Sequence, residues 1–344
     1  MSQFRNLVFE GGGVKGVAYA GAVAALEARG IMGDIRHVAG TSAGAISAAL
    51  LAFGATGDDL QAILGNTDFR GFMDDSWGVV RDLGRLALEY GWFKGEQFAD
   101  WMKRNIRSLS GDAEDVTFAD LAERARPAQT GHGRTFRQLH TVATDLGARR
   151  PQVFSAETTP DVPVWLAVRM SMSIPLFFAS VRHEGRVMVD GGVTWNYPID
   201  LFDDRRYLTG PQDERALRPV DCPDPRGEGH VYNRQTLGFR VGASEGIGAT
   251  GAAEDQPPTP IANLMDYANA LVPFVVDMPN RLHLHRIDWH RTVFLEAGGV
   301  RPTDFDLSDE QVRTLVANGR RGTEAYFAWF DNPPPGHEPV NRLP

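Results

Sequence analysis

The sequence predicts an α/β protein whose mainly parallel central sheet is sandwiched by helices in three layers. Three observations predict it. First, a short apolar run at Arg5 to Phe9 ends in glycines, and small and apolar residues at helical spacing follow from Val14 to Arg29, closed by Gly30. Second, the unit repeats: Ile35 to Ala39 is broken by Gly40, and an alanine-rich stretch from Ala43 to Phe53 ends at Gly54. Two consecutive strand-turn-helix units with near-continuous apolar strands imply a parallel sheet covered on both faces. Third, 344 residues that are 42% hydrophobic and contain 37 glycines can bury a sizeable core, and the single cysteine, Cys222, excludes an internal disulfide framework.

The later elements complete the sheet. From Gly57 to Ala125 the pattern is helical and wet, with candidates at Asp59 to Leu64, Val79 to Tyr90, Glu96 to Ile106 and Phe118 to Ala125, and reads as a helical insertion. Strands are expected at Arg134 to Asp145 and Pro151 to Ser155, an apolar helix from Val162 to Met172, and short strands at Phe177 to Val181 and Arg186 to Val189. Residues 209–229 and 242–259 are rich in Pro, Gly, Asp and Glu and read as exposed loops flanking a strand at Gln235 to Val241. A helix at Ile261 to Leu284, broken at Pro273, precedes a strand at Thr292 to Leu295, and Ser308 with Gln311 makes a capping box for a final helix to Phe330. Residues 1–210 are expected to form the core and 211–344 the C-terminal part of the same domain.

With 35 basic and 44 acidic side chains the formal net charge is −9, so nucleic acid is not an expected partner. The N-terminus has no signal-peptide pattern and no apolar stretch is long enough to span a bilayer, which leads to a cytoplasmic expectation. Peripheral membrane contact and export without a signal peptide are compatible with it.

Three clusters could carry chemistry. Gly40-Thr41-Ser42-Ala43-Gly44 fits G-x-S-x-G, where small neighbours let a serine occupy a strained strand-to-helix turn at a helix N-terminus. Gly11-Gly12-Gly13-Val14-Lys15-Gly16 satisfies the dinucleotide pattern G-x-G-x-x-G. The acidic residue at the right separation, Asp34, precedes the second strand and lies at its wrong end. A P-loop is excluded by Val14 and Gly16 around Lys15. Bare amides at a helix start can instead hold an oxyanion, and a simple tight turn is the third reading. Asp190-Gly191-Gly192 puts a carboxylate at a strand end, on a turn that only glycines relax.

In this order and spacing the three clusters resemble the patatin-like phospholipases, a likeness covering roughly residues 5 to 200. Phe9-Glu10 before the glycines, Lys15, and Ser171-Met172-Ser173-Ile174-Pro175 before the aspartate agree with it; Met170 and the acidic loops after residue 209 depart from the commonest pattern. The resemblance implies a three-layer fold related to the α/β-hydrolases and acyl hydrolysis by a Ser42-Asp190 dyad. It implies an oxyanion hole from the amides of Gly11, Gly12 and Gly13, with Lys15, Gly16, Gly40, Gly44, Gly191 and Gly192 supporting the motifs. No cofactor or metal is expected. The partner expected is a lipid or phospholipid substrate at a membrane or micelle surface, and any activating protein or ligand is unspecified.

An α/β-hydrolase triad would need a late histidine, for which His230, His283, His285 and His290 are available. A dyad in which Asp190 takes the Ser42 proton needs none, but it requires a raised carboxyl pKa or tight coupling of proton transfer to attack. His283, His285 and His290 lack a patterned fourth metal ligand. For lipid access, Leu271 to Val276 is the favoured lid or membrane-facing segment, and Trp77, Trp92, Phe93 and Trp101 read as core.

Overall fold

A computed structural model describes residues 2–72, 91–111, 114–126, 134–208, 231–242, 261, 270–271, 274 and 286–343. The expected helix at Val79 to Tyr90, most of that at Ile261 to Leu284, both acidic loops, Cys222, Trp77, the Trp92 side chain, His230, His283 and His285 lie outside the described residues.

The first unit is strand β1 (Asn6–Phe9), a 3-10 turn (Gly13–Val17) and helix α1 (Ala18–Ala28). The predicted helix therefore begins as a tighter turn, because Gly13 takes φ +56 and the next amide, Val14 N–H, is held by the Pro302 carbonyl at 3.1 Å. The second unit is β2 (His37–Thr41) and α2 (Ala43–Ala52), followed by α3 (Gly57–Gly65). Here Gly40 lies inside the strand and not after it. A Cβ on Gly40 would run into the Gly44 carbonyl, and one on Gly44 into the carbonyl of Phe9. These glycines let α2 press against β1 and β2; they do not break the chain.

Strand β3 (Gly91–Phe93) and helices α4 (Glu96–Ser110) and α5 (Phe118–Arg124) precede β4 (Gln138–Asp145) and β5 (Arg150–Phe154). Helix α6 (Val164–Ser171), β6 (Leu176–Phe178), β7 (Val181–His183), β8 (Arg186–Asp190) and the short α7 (Gly192–Trp195) come next. β9 (Thr236–Gly242), β10 (Thr292–Glu296) and α8 (Asp309–Asp331) end the described elements. The capping box at α8 is formed as expected, with Ser308 Oγ accepting the Gln311 N–H at 3.2 Å and Gln311 Oε1 the Ser308 N–H at 2.9 Å.

The main sheet runs β10-β9-β1-β2-β4-β8-β7, with β5 on β4. The first five strands are parallel, and β8, β7 and β5 are antiparallel additions. Alternate residues of each inner strand feed different cores. Leu7, Phe9 and Val38 join the large cluster with α1, α2 and α8, whereas Val8 and Ala39 join Tyr197, Ile199 and Phe202 on the opposite face. Burial on both faces is what made these strands read as unbroken apolar runs. No helix among the described residues is long and apolar enough to cross a membrane.

Candidate active site

Ser42 leaves β2 and caps α2 with φ 53 and ψ −124. A non-glycine residue there carries strain of about 1–3 kcal/mol. Its carbonyl accepts the Ala45 and Ile46 N–H groups, so the helix begins at once and its N-terminal field falls on the serine.

Strand register brings Asp190 to it. Thr41 pairs with Val142, so Ser42 stands level with Ala143, the residue opposite Asp190 across β4. Asp190 ends an antiparallel strand, not a parallel one, yet this offset delivers it to the edge where β2 ends. It is buried, and Oδ1 accepts the Gly192 N–H at 2.7 Å. Burial pushes the carboxyl up to about 7, opposed by the Gly192 N–H and then by the Ser42 hydroxyl. Oδ2 is buried and accepts no hydrogen bond among the described residues. A Cβ on Gly191 would strike the Val142 carbonyl, which fixes glycine behind the aspartate.

The glycine loop faces this pair with fewer donors than expected. Gly11 N–H is already committed to the Asn196 carbonyl at 3.0 Å, which removes it from the proposed trio. Gly12 and Gly13 amides have no acceptor among the described residues. Lys15 Nζ donates to the Val241 carbonyl at 2.8 Å and ties the loop to β9, while at Gly16 a Cβ would stand 3.1 Å from that of Ala43. Asp34, which the dinucleotide reading requires at a ribose, accepts the Ser2 N–H at 2.6 Å before β2. His290 accepts the Val340 N–H and packs on Trp329, so it is spent in the C-terminal structure.

An apolar cleft opens beside Ser42, Gly13 and Ala43. Its walls are apolar: Val17, Ile46, Leu64, Phe72, Met172 and Phe305. Leu64 and Phe72 come from the insertion, so that segment builds the cavity wall. Phe93 packs on Phe178, and Trp101 packs on Phe72 and Phe98 and donates to Thr67 Oγ1 at 3.1 Å, which makes both core residues. Of the favoured lid segment, Leu271 and Phe274 are described, and Phe274 is 63% exposed.

Sequence reasoning missed Asn196 and the hydroxyl of Ser171 as parts of the site. Their partners lie far along the chain; the segment holding Ser171 agrees with the family pattern, but nothing local says what its hydroxyl touches.

A strained serine turn on a mainly parallel sheet covered on both faces is the architecture of the α/β acyl hydrolases as a class. The sequence profile described as patatin-like phospholipase matches residues 7–203, more than half of the chain, and the protein belongs to that family. It is 29% identical over 335 residues to the uncharacterised protein YqhO of Bacillus subtilis strain 168, covering 93% of this chain and 97% of that one. The probable lipid hydrolase 463L of Invertebrate iridescent virus 6 is 26% identical over 198 residues, which are 58% of this chain and 63% of its own length. In fold the protein is similar to VipD from Legionella pneumophila, with a TM-score of 0.56 at 18% identity over 95% of this chain and 67% of that one.

Proposed function

We propose that Ser42 and Asp190 carry the acyl transfer of this lipid acyl hydrolase. The observation that carries the reading is the strained serine at the start of α2 with a buried, proton-avid carboxylate beside it. Ser42 Oγ attacks the ester carbonyl carbon as its proton passes to Asp190. The carbonyl π pair moves onto oxygen, where the Gly12 and Gly13 amides and the α2 N-terminus stabilise the negative charge. Collapse re-forms the carbonyl and expels the alcohol, which takes the proton from Asp190. Water then attacks the acyl-serine with Asp190 as base, releasing the fatty acid and restoring Ser42. The apolar cavity accommodates the acyl chain, and membership of the phospholipase family and the likeness to a probable lipid hydrolase support a lipid ester presented at a membrane or micelle surface.

A fluorophosphonate probe followed by peptide mapping tests this. Labelling is expected at Ser42 and is lost in Ser42→Ala; a folded protein that resists the probe, or carries the label elsewhere, overturns the assignment.

A further inference from the structure

The positive φ at Ser42 persists only if its surroundings hold it. The Thr41 and Val142 pair is the last rung between β2 and β4. One step further, the Ser42 N–H is taken by the hydroxyl of Ser171 at 2.9 Å, and that hydroxyl donates to the Val142 carbonyl at 2.6 Å. A side-chain oxygen thus bridges the place where β2 leaves the sheet.

The same short segment reaches the other half of the pair. Asp190 N–H donates to the Ser173 carbonyl at 2.9 Å, and Gly191 N–H to the Ser171 carbonyl at 3.3 Å. Ser171 and Ser173 are both fully buried. Ser173 Oγ accepts from Arg169 Nη1 at 2.6 Å and donates to the Arg169 carbonyl at 2.8 Å. Arg169 Nη2 is in turn fixed by the carbonyls of Lys94 and Ala179, so the segment cannot shift alone.

We infer that Ser171 is a positioning residue: its hydroxyl holds the Ser42 backbone in the strained turn and thereby sets the reach of Ser42 Oγ to Asp190. The inference rests on the dyad reading above. Because the strained turn sets where Ser42 Oγ stands relative to Asp190, a small backward relaxation of it would remove the proton's path while leaving the apolar cavity intact. The effect belongs to turnover, not to binding.

The test compares wild type, Ser171→Ala and Ser171→Cys on a soluble short-chain ester, together with the rate of fluorophosphonate labelling per folded molecule. Ser171→Cys leaves no cavity and replaces the hydroxyl with a slightly larger, weak donor and acceptor, so it serves where Ser171→Ala fails to fold. Both are expected to lose about 100-fold in kcat and in labelling rate with KM unchanged, the cost typical of a misplaced reacting group. A folded variant with wild-type kcat and labelling rate, or a loss confined to KM, overturns the inference and leaves the dyad standing. Wild-type protein that neither labels nor hydrolyses overturns the dyad reading, and this inference falls with it.

Discussion

Gly11 and Asn196 hold each other by two bonds. The Gly11 N–H donates to the Asn196 carbonyl at 3.0 Å, and Asn196 Nδ2 returns a bond to the Gly11 carbonyl at 3.1 Å. This clasp pins the start of the glycine loop to the end of α7, while the Gly12 and Gly13 amides donate to no acceptor among the described residues.

The two remaining glycines should respond differently to substitution. A Cβ on Gly12 would meet only Lys15 carbons, at 3.6 and 3.9 Å, and would leave the amide in place. At Gly13 the backbone has φ +56 and a Cβ would collide with the Pro302 carbonyl, so the turn must move. Gly13→Ala should lower kcat by about 100- to 1,000-fold, as loss of an oxyanion donor does, while Gly12→Ala keeps most of its turnover. Kinetics on a soluble ester with paired melting curves check this. The reverse ranking would place the oxyanion elsewhere.

Activity should rise with pH through neutrality. Asp190 must be ionised to accept a proton, and burial holds its carboxyl up to about 7, so kcat/KM should be half-maximal near there and fall below it. A profile already flat from pH 5 would contradict the carboxylate as base.

Stability carries the opposite sign at the same residue. A folded pKa above the unfolded value of 3.8 gives stability that is complete below 3.8 and is lost as pH rises through about 7. Asp190→Asn, which keeps an acceptor for the Gly192 N–H, should therefore melt higher than wild type at pH 8 while losing hydrolysis. A variant that is both inactive and less stable at pH 8 would show that the ionised carboxylate is not a strained element of the fold.

Much of this arrangement was legible locally, and the limits were physical. The α8 cap is a contact between Ser308 and Gln311 in one turn, so sequence sufficed. The end of β2 was misplaced because Gly40 looks like a breaker until α2 is seen lying against it. Which glycine amides are free depends on Asn196, and the support of Ser42 on Ser171, 129 positions away. Spacing identifies the serine and the aspartate; only the register across β4 puts them side by side.

Chain length should be set by Phe72. Its ring lines the apolar cavity beside Ser42 and also a polar groove that includes Gln97, Asp100 and Arg104, so it divides the two. It is clamped edge-on by Phe69, Phe98 and Trp101 at centroid distances of 5.9, 5.3 and 5.3 Å. Phe72→Leu should open the partition and raise kcat/KM for long acyl esters relative to short ones. Phe72→Ala should do so more strongly, at a stability cost of about 3–5 kcal/mol. An unchanged chain-length series in folded Phe72→Leu would rule the ring out as the end wall.

Acid should weaken the fold through two histidines on the sheet face where Val8 and Ala39 pack. His37 and His140 stand 5.8 Å apart beside Phe202 and Tyr207. Burial, reinforced by the Arg36 charge, lowers His37 to about 4; burial, then the charges of His37 and Arg206, lowers His140 to about 3. Both are neutral in the folded protein at pH 5, whereas the unfolded chain protonates them below about 6.5. Depressed folded values give stability that is present above 6.5 and is lost as pH falls toward 4, at up to about 1.4 kcal/mol per pH unit for each histidine. Asp190 pushes the other way in this range, so wild type alone gives a mixed slope. The difference between wild type and His140→Phe cancels that contribution, and Tyr207 keeps its bond to Glu157 Oε2 at 3.1 Å in the variant. Urea denaturation at pH 7 and pH 4.5 should show a smaller acid loss in His140→Phe than in wild type. Equal losses would mean that His140 is already protonated in the folded protein, and that its burial costs the fold nothing in acid.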